Sequence, residues 1–290
     1  MKIKMSAFFL IICSVFSIST MRSSEAANYN FQIDNFQILG NLPGSAMDDF
    51  NYNTLAPDWE IQDGTPFESG NFVYLQSPGE LMETLVLNGY RILEERSAIS
   101  STHPSKFTVW DGEGDFSASA KWNAVIPDEN QFYGIQLWSP GEESISLNIF
   151  NVGSNLADAL GIGTTPGLKI LLSDDSGLQV YDISAVDVVD SIILGLSFDD
   201  TNNLISPFFS LDNGSTTQTP FVSVDTRLGD FSETVWMLDG ASLDVQVVPV
   251  PGTLWLFASG LFSLAWLRRK LTKISALFNP NASLYKVILR

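Results

Sequence analysis

The run of side chains best placed to do chemistry is Asp111-Gly112-Glu113-Gly114-Asp115, in which three carboxylates alternate with two glycines. On a β-strand the carboxylates would share one face, with neighbours about 6.6–7 Å apart. Glycoside hydrolysis needs two carboxylates about 5–5.5 Å apart for retention or about 6.5–9.5 Å apart for inversion. The glycines favour a turn before a strand at Phe116, so we expect no catalytic residue here. Asp111, Glu113 and Asp115 are instead candidate calcium ligands, although the twelve-residue EF-hand pattern is absent.

Other catalytic machinery is excluded by composition. The chain holds one cysteine, Cys13, and one histidine, His103. Disulfide scaffolds, His-rich zinc sites and most Cys–His or Ser–His–Asp nucleophiles therefore cannot be built. His103 precedes a proline in a polar stretch and is interpreted as a loop residue without a partner. We expect no cofactor, with calcium as the open alternative.

Acidic residues dominate the charge. The 290 residues contain 33 Asp and Glu against 15 Lys and Arg, for a net charge of −18. Nucleic-acid binding is excluded, because too few cations are present to neutralise phosphates. Between residues 27 and 253 there are 32 acids and six bases, a net charge of −26. The simplest explanation of this acidic excess is solubility. The more specific hypothesis is calcium binding, because divalent cations would bridge the acidic segment to acidic polysaccharides.

The two ends of the chain predict export and membrane insertion. Lys2 and Lys4 precede an apolar run and a Ser/Ala-rich exit, which predicts a signal peptide over residues 1–26 with cleavage after Ala26. Residues 247–267 carry no charge and precede a basic cluster. Those 21 residues are long enough to cross a hydrocarbon core of about 30 Å as a helix. The basic cluster would hold the C-terminus on the cytoplasmic side.

The same segment contains a recognisable motif. Val248-Pro249-Val250-Pro251-Gly252, followed after the apolar run by Arg268-Arg269-Lys270, resembles the PEP-CTERM sorting signal. The resemblance implies processing near the motif by an exosortase-type membrane enzyme in a Gram-negative bacterium that makes exopolysaccharide, itself a candidate partner. The protein would then start as a membrane-anchored precursor and reach the cell surface or extracellular matrix. Val250 stands where Glu is commonest in that family, and residues 271–290 extend beyond the usual end as a basic tail.

The segment between the two ends predicts an all-β chain, because Gly, Pro, Asn and Asp clusters recur about every ten residues. Period-two alternation predicts strands over 116–122, 133–138 and 144–150. Residues 199–203 form a polar turn between two further strands, which predicts a hairpin. For residues 80–92 we favour strand–turn–strand over a helix.

A closing strand over residues 236–247 is expected to pair with the opening strand around residues 28–39. The chain termini would then meet in one sheet, and a single β-sandwich would take up all of residues 27–246. The predicted organisation is a signal peptide over 1–26, an acidic sandwich over 27–246, a sorting and transmembrane segment over 247–270, and a basic cytoplasmic tail over 271–290.

A second resemblance extends over most of residues 48–214. Segments beginning at Asp48, Gly114, Tyr133 and Ile205 are similar, in the same order, to concanavalin A-like lectin and glucanase modules. The resemblance implies a jelly-roll of two curved antiparallel sheets that frequently binds glycans on its concave face. The glucanase subset carries Glu-x-Asp-x-Glu on one strand, whereas the order at residues 111–115 is inverted.

Five tryptophans have strand-like spacing and could stack on sugar rings, although we expect most of them in the core. They are Trp59, Trp110, Trp122, Trp138 and Trp236. The sequence therefore predicts an exported, non-catalytic protein with a structural or glycan-binding role. The alternatives are a carbohydrate-active enzyme of the glucanase or lyase type on the same fold and a calcium-dependent adhesin.

Overall fold

The computed structural model describes residues 28–40, 46–51, 54–78, 82–102, 105–108, 114–123, 125–138, 144–161, 165–174, 177–225 and 234–248. The chain divides into two units, Met1–Gln246 and Val247–Arg290, and only Val247 and Val248 of the second unit are described. Within the described ranges, no helix has the length and apolar character needed to cross a membrane. The predicted signal peptide and the sorting segment beyond Val248 lie outside these ranges.

Short strands make up most of the described chain. They are β1 Asn30–Gly40, β2 Ala46–Asp48, β3 Trp59–Asp63, β4 Phe67–Ser69, β5 Phe72–Gln76, β6 Met82–Leu87, β7 Tyr90–Ser101, β8 Phe116–Trp122, β9 Gln131–Trp138, β10 Ser144–Val152, β11 Gly167–Asp174, β12 Gly177–Asp182, β13 Ile192–Asp199, β14 Leu204–Ser210, β15 Val224–Asp225 and β16 Val235–Val247. A short helix, α1, spans Ser154–Leu160, and a 3₁₀ turn spans Ala185–Asp187.

The strands form two antiparallel sheets. Sheet A has the order β15-β14-β13-β8-β1-β5-β4, with β2 paired to β1. Sheet B has the order β12-β11-β10-β9-β16-β7-β3, with β6 paired to β7. One apolar core contains residues of both sheets. The predicted all-β antiparallel sandwich is therefore confirmed.

Alternating side chains explain how each strand contributes to this core. In β9, Tyr133, Ile135 and Leu137 are fully buried, whereas Gln136 and Trp138 point away from the core. Aromatic rings then join the two sheets, since the ring centroid of Phe36 in β1 lies 5.9 Å from that of Trp236 in β16. Such buried aromatic contacts supply much of the apolar area that drives folding.

The predicted pairing of the first and last strands is wrong. The opening strand, β1, lies in sheet A, and the closing strand, β16, lies in sheet B between β9 and β7. The two strands face each other across the core, where a Cβ added at Gly240 would lie 2.5 Å from Cδ2 of Phe31. Alternation identifies both strands, but it carries no information about the sheet that each one joins.

The predicted hairpins are confirmed by their turns. Asp199 of β13 pairs with Leu204 of β14, and both carboxylate oxygens of Asp199 accept hydrogen bonds from Asn202. Between β6 and β7, Asn88 and Gly89 have φ angles of 51° and 83°. This left-handed pair is the backbone of a two-residue hairpin turn, which favours Asn-Gly. The strand–turn–strand interpretation of residues 80–92 therefore holds over the described strands.

Part of the outer face of sheet B is covered by α1. Leu156 and Ala159 of the helix are fully buried in a second apolar cluster that also contains Ile92, Phe150 and Leu171 of the sheet. The helix ends at Gly161, whose φ of 63° is the left-handed conformation that glycine adopts readily. The remainder of this face carries polar side chains and is the candidate site.

Candidate functional site

The candidate site is a group of four side chains on the outer face of sheet B, called the polar cluster below. Arg96 comes from β7, Gln136 from β9, Asn148 from β10 and Asp239 from β16. The strand register places them together, because Gly134 of β9 is the partner of both Asn148 and Asp239. In each strand these residues alternate with core residues, so their side chains point outward.

An ion pair forms the centre of the polar cluster. Nη2 of Arg96 lies 2.5 Å from Oδ2 of Asp239, and it also donates to Oε1 of Gln136 at 3.4 Å and to Sδ of Met237 at 3.2 Å. The Asp239 side chain is 6% exposed and that of Arg96 is 29% exposed. The charge of Asp239 raises the pKa of Arg96, and the charge of Glu94 adds to this effect while burial opposes it. Arg96 therefore stays protonated.

Asn148 reaches over β9 because the residue beside it is glycine. A Cβ at Gly134 would lie only 2.0 Å from Oδ1 of Asn148 and 2.3 Å from the carbonyl oxygen of Leu147. Any larger residue would collide with both atoms. The glycine thus sets the position of the Asn148 side chain within the polar cluster.

Three buried polar atoms of the polar cluster have no hydrogen-bond partner among the described residues. They are Nε of Arg96, Oδ1 of Asn148 and Oδ1 of Asp239. Leaving one such atom unpaired costs about 1–3 kcal/mol. Met237 contacts Arg96 from the neighbouring position, and its flexible thioether can move aside more easily than a branched side chain. One donor and two acceptors of the polar cluster therefore have unused hydrogen-bonding capacity.

An exposed tryptophan lies beside the polar cluster. Trp138 ends β9 two residues after Gln136, on the same face of the strand, and is 39% exposed. Trp59, Trp122 and Trp236 are instead buried in the core, which confirms the expectation for these three. Trp110 lies outside the described residues. Among the described tryptophans, Trp138 is thus the remaining candidate for stacking against a sugar ring.

The acidic run at residues 111–115 is described only in part. Asp111 and Glu113 lie outside the described residues, as does His103. Oδ1 of Asp115 accepts a hydrogen bond of 2.9 Å from the backbone N–H of Asp200 and so joins the start of β8 to the β13–β14 turn. Across the described ranges, no group of three or more His, Cys, Asp or Glu side chains is arranged to hold a metal ion. Calcium binding at these residues stays a prediction.

Sequence reasoning missed the polar cluster, although part of its signal was present. Arg96 is one of four charged residues in β7, and Asp239 is one of two acids in β16, a strand that is otherwise rich in apolar and small residues. Such a charge needs a partner if it is partly buried. The identity of that partner could not be read from the sequence, because the two residues are 143 positions apart.

The comparisons with known proteins identify the C-terminal segment. The fold is an all-β antiparallel sandwich of two sheets, and the strand that ends it leads directly into a sorting signal. The PEP-CTERM protein-sorting motif matches residues 247–270, which confirms this resemblance. The chain therefore carries the sorting signal of exosortase substrates, which indicates export to the surface or the extracellular space. The individual roles of Val248, Pro249, Val250, Pro251, Gly252, Arg268, Arg269 and Lys270 stay predictions.

The chain is also similar in structure to solved β-proteins at low identity. Basic winged bean lectin with Tn-antigen is 11% identical with a TM-score of 0.42, over 74% of this chain and 88% of the lectin. Peanut lectin with a nine-residue peptide is 12% identical with a TM-score of 0.42, over 75% and 90%. An engineered GH43 glycoside hydrolase with endo-xylanase and exo-arabinofuranosidase activity is 11% identical with a TM-score of 0.40, over 72% of this chain and 41% of the enzyme. The chain thus spans less than half of that enzyme. No curated protein matches the chain.

Proposed function

We propose that this protein is a non-catalytic glycan-binding component of the cell surface or extracellular matrix, and that the polar cluster with Trp138 holds the sugar. The observation that carries the proposal is the set of three buried, unpaired polar atoms beside an exposed tryptophan. Unpaired buried polar atoms are rare in folded proteins, and each one calls for a partner. A ligand supplies partners that the described protein residues do not.

A sugar matches this arrangement of groups. Its hydroxyls donate to Oδ1 of Asn148 and Oδ1 of Asp239 and accept from Nε of Arg96. Trp138 lies four residues beyond Gly134, about 13 Å along β9, so the apolar face of a neighbouring sugar unit of the same glycan stacks on its indole. The planar amide and guanidinium groups fix the orientation of the ring, because their donors and acceptors have fixed directions.

The proposal of a non-catalytic role rests on the chemistry of the polar cluster. Glycoside hydrolysis uses a pair of carboxyl groups, whereas the polar cluster contains one, Asp239. That carboxylate is already engaged in the ion pair with Arg96 at 2.5 Å. The rival enzymatic function would use Asp111 and Glu113, and reducing-sugar release that disappears in Glu113→Gln would establish it.

The cellular part of the proposal follows from the sorting signal. The precursor is anchored in the inner membrane of a Gram-negative bacterium by its C-terminal helix and is processed by an exosortase-type enzyme. Exopolysaccharide is the proposed ligand outside the cell. Mass spectrometry of the surface-released protein should find a C-terminus near Pro249–Pro251. An intact Arg290 on that protein would contradict processing.

Glycan arrays provide the test of the binding site. The full-length chain in detergent is applied with calcium and, separately, with EDTA. Asn148→Ala should weaken binding about tenfold, since it removes an acceptor for a sugar hydroxyl. Asn30→Ala is the matched control, because Asn30 is exposed at the start of β1 in the other sheet. Binding that survives Asn148→Ala and Trp138→Ala would refute this site, and binding lost in EDTA would support the calcium-dependent adhesin instead.

A further inference from the structure

The charge balance of the polar cluster depends on Asp239. Oδ2 of Asp239 lies 2.5 Å from Nη2 of Arg96, so the two opposite charges cancel at short range. The Asp239 side chain is only 6% exposed, and its second oxygen, Oδ1, has no hydrogen-bond partner among the described residues. The side chains of Gln136 and Asn148 complete the cluster and carry no charge. A ligand at the polar cluster therefore meets an open carboxylate oxygen and a guanidinium group whose charge is already neutralised.

Two further acidic side chains lie near the ion pair. Glu94 comes two residues before Arg96 on the same side of β7. Asp63 belongs to β3, where it is the strand partner of Ala98 in β7. Asp239 has the largest effect in raising the pKa of Arg96, and the charges of Glu94 and Asp63 raise that pKa further. A negatively charged ligand at the polar cluster would therefore be repelled by these two acids as well as by Asp239.

The two other basic residues in the described strands of sheet B do not offset this acidity. Lys169 in β11 is 1% exposed and is held in an ion pair with Asp182 of β12. Arg91 lies five residues before Arg96 in β7, about 16 Å along the strand. That distance exceeds the electrostatic screening length of about 10 Å at 0.1 M ionic strength. Among these described strands, the positive charge within reach of the polar cluster is therefore the one that is already paired.

We propose that Asp239 makes the polar cluster selective for uncharged sugar units and excludes sugar units that carry a carboxylate, such as uronic acids. This selectivity rests on the glycan-binding function proposed above. One sugar hydroxyl can donate to Oδ1 of Asp239, and another can accept from Nε of Arg96. A carboxylate can only accept, so it would bring a second anion against Oδ1 of Asp239. Contacts between like charges are strongly unfavourable, and binding sites use them to reject wrong partners.

Arg96 would recognise an anion if Asp239 did not pair with it. Arginine matches carboxylates and phosphates well, because its planar group offers several N–H donors in a fixed arrangement. Asp239 fills that position with a carboxylate of the protein itself. The substitution Asp239→Asn keeps an acceptor oxygen for a sugar hydroxyl and removes the negative charge. It should therefore change which glycans bind and leave binding itself in place.

The test compares matched pairs of neutral and uronic-acid oligosaccharides of several hexoses on a glycan array. The full-length chain in detergent is applied with EDTA, so that calcium cannot bridge the acidic protein to acidic sugars. Wild-type protein should bind the uronic-acid member of a pair at least about tenfold more weakly than the neutral member. Asp239→Asn should strengthen binding of the uronic-acid member about tenfold and change binding of the neutral member less than about threefold. The gained binding should weaken as the salt concentration rises, since it depends on charge.

Asp244→Asn is the matched control. Asp244 is the other acid of β16, and it accepts a hydrogen bond of 2.6 Å from Nε2 of Gln246. This variant changes the net charge by the same amount outside the polar cluster, so it should keep the wild-type preference. Asp63→Asn keeps the test decisive if Asp239→Asn disturbs folding. It leaves the ion pair intact, keeps an acceptor for the backbone N–H of Gly64, and should strengthen binding of the uronic-acid member about threefold.

The outcomes distinguish the selectivity from the binding site itself. Equal binding of both members by wild-type protein would overturn the selectivity. So would a wild-type preference that persists in both Asp239→Asn and Asp63→Asn. In either case, loss of binding in Asn148→Ala would show that the glycan site remains. Wild-type protein that binds no glycan on the array would refute the proposed function, and the selectivity with it.

Discussion

The two outer faces of the sandwich are built from the same alternating pattern but have different chemistry. On sheet B, α1 covers one part, and the other part holds a partly buried ion pair between Arg96 and Asp239. On sheet A, the corresponding region has serines around Phe208, an ion pair between Lys121 and Asp34, and the exposed acid Asp225 at its edge. Burying an ion pair rarely adds stability, because desolvation offsets the attraction. The comparison teaches that the two ion pairs differ in burial: Asp239 on sheet B is only 6% exposed, whereas Lys121 and Asp34 on sheet A are each 25% exposed, so the desolvation cost is larger on sheet B.

A glycine makes room for the key side chain on each face. Gly134 admits Asn148 on sheet B, and Gly195 admits Phe208 on sheet A. The two contacts differ in what surrounds the missing Cβ. At Gly134 the nearest atoms include the backbone oxygen of Leu147, whereas at Gly195 the three nearest atoms belong to one side chain. A side chain at position 134 would therefore displace backbone, whereas one at position 195 would displace only the Phe208 ring.

The largest expected difference concerns the ion pair. Arg96→Ala should lower the free energy of unfolding by about 3 kcal/mol, because it leaves the Asp239 carboxylate buried and unpaired. Ser197→Ala on the outer face of sheet A should change the free energy of unfolding by less than about 0.5 kcal/mol. Urea unfolding of the full-length chain in detergent measures both. The double variant Arg96→Met with Asp239→Leu should recover most of the stability lost in Arg96→Ala. Equal losses of stability in Arg96→Ala and Ser197→Ala would contradict the difference between the two faces.

The two glycines offer the next test. Gly134→Ala should cost about 2–3 kcal/mol, since its Cβ would displace both Asn148 and a backbone carbonyl of the central strands. Gly195→Ala should cost about 1 kcal/mol or less, because the end of the Phe208 ring can swing away. Urea midpoints give the comparison directly. A larger loss for Gly195→Ala would show that Phe208 is fixed by more than the glycine beneath it.

Alkaline pH should lower the free energy of unfolding through two tyrosines in the core that the two sheets share. Burial raises the pKa of Tyr133, and burial together with the charge of Glu95 raises the pKa of Tyr29. Both phenols stay neutral in the folded state, so their contribution to stability is complete below the unfolded pKa of about 10 and falls as the pH rises above it. The expected loss is roughly 1.4 kcal/mol per pH unit for each tyrosine. Tyr29→Phe should halve the slope between pH 10 and 11, and an unchanged slope would contradict this assignment.

The smallest effect is expected at Trp138. Trp138→Ala should weaken glycan binding by about 1 kcal/mol, the value of one aromatic contact, and leave unfolding nearly unchanged because the ring is 39% exposed. The array gives the affinity, and thermal unfolding gives the stability. Ile126→Ala is the control, since Ile126 is 43% exposed and lies before β9. Loss of stability without loss of binding would make Trp138 a packing residue.

Local sequence features predicted the strands and turns because their causes are local. The alternation of β8 and β9 follows from one buried and one exposed side, and Asn88-Gly89 adopts the left-handed turn that its residue types favour. The pairing of β1 with β16 was predicted wrongly. Antiparallel strands of one sandwich have similar patterns in either sheet, so the choice between sheets depends on packing across the core.

The amino-acid sequence by itself determined the sorting signal and the all-β class, since each depends on the length, charge or period of a continuous segment. The sorting motif at residues 247–270 needs no partner elsewhere in the chain to be recognised. Only the tertiary structure decided that Arg96 meets Asp239 and that Phe208 lies over Gly195. These contacts join separate strands, and their register is fixed by how two whole sheets bury one core.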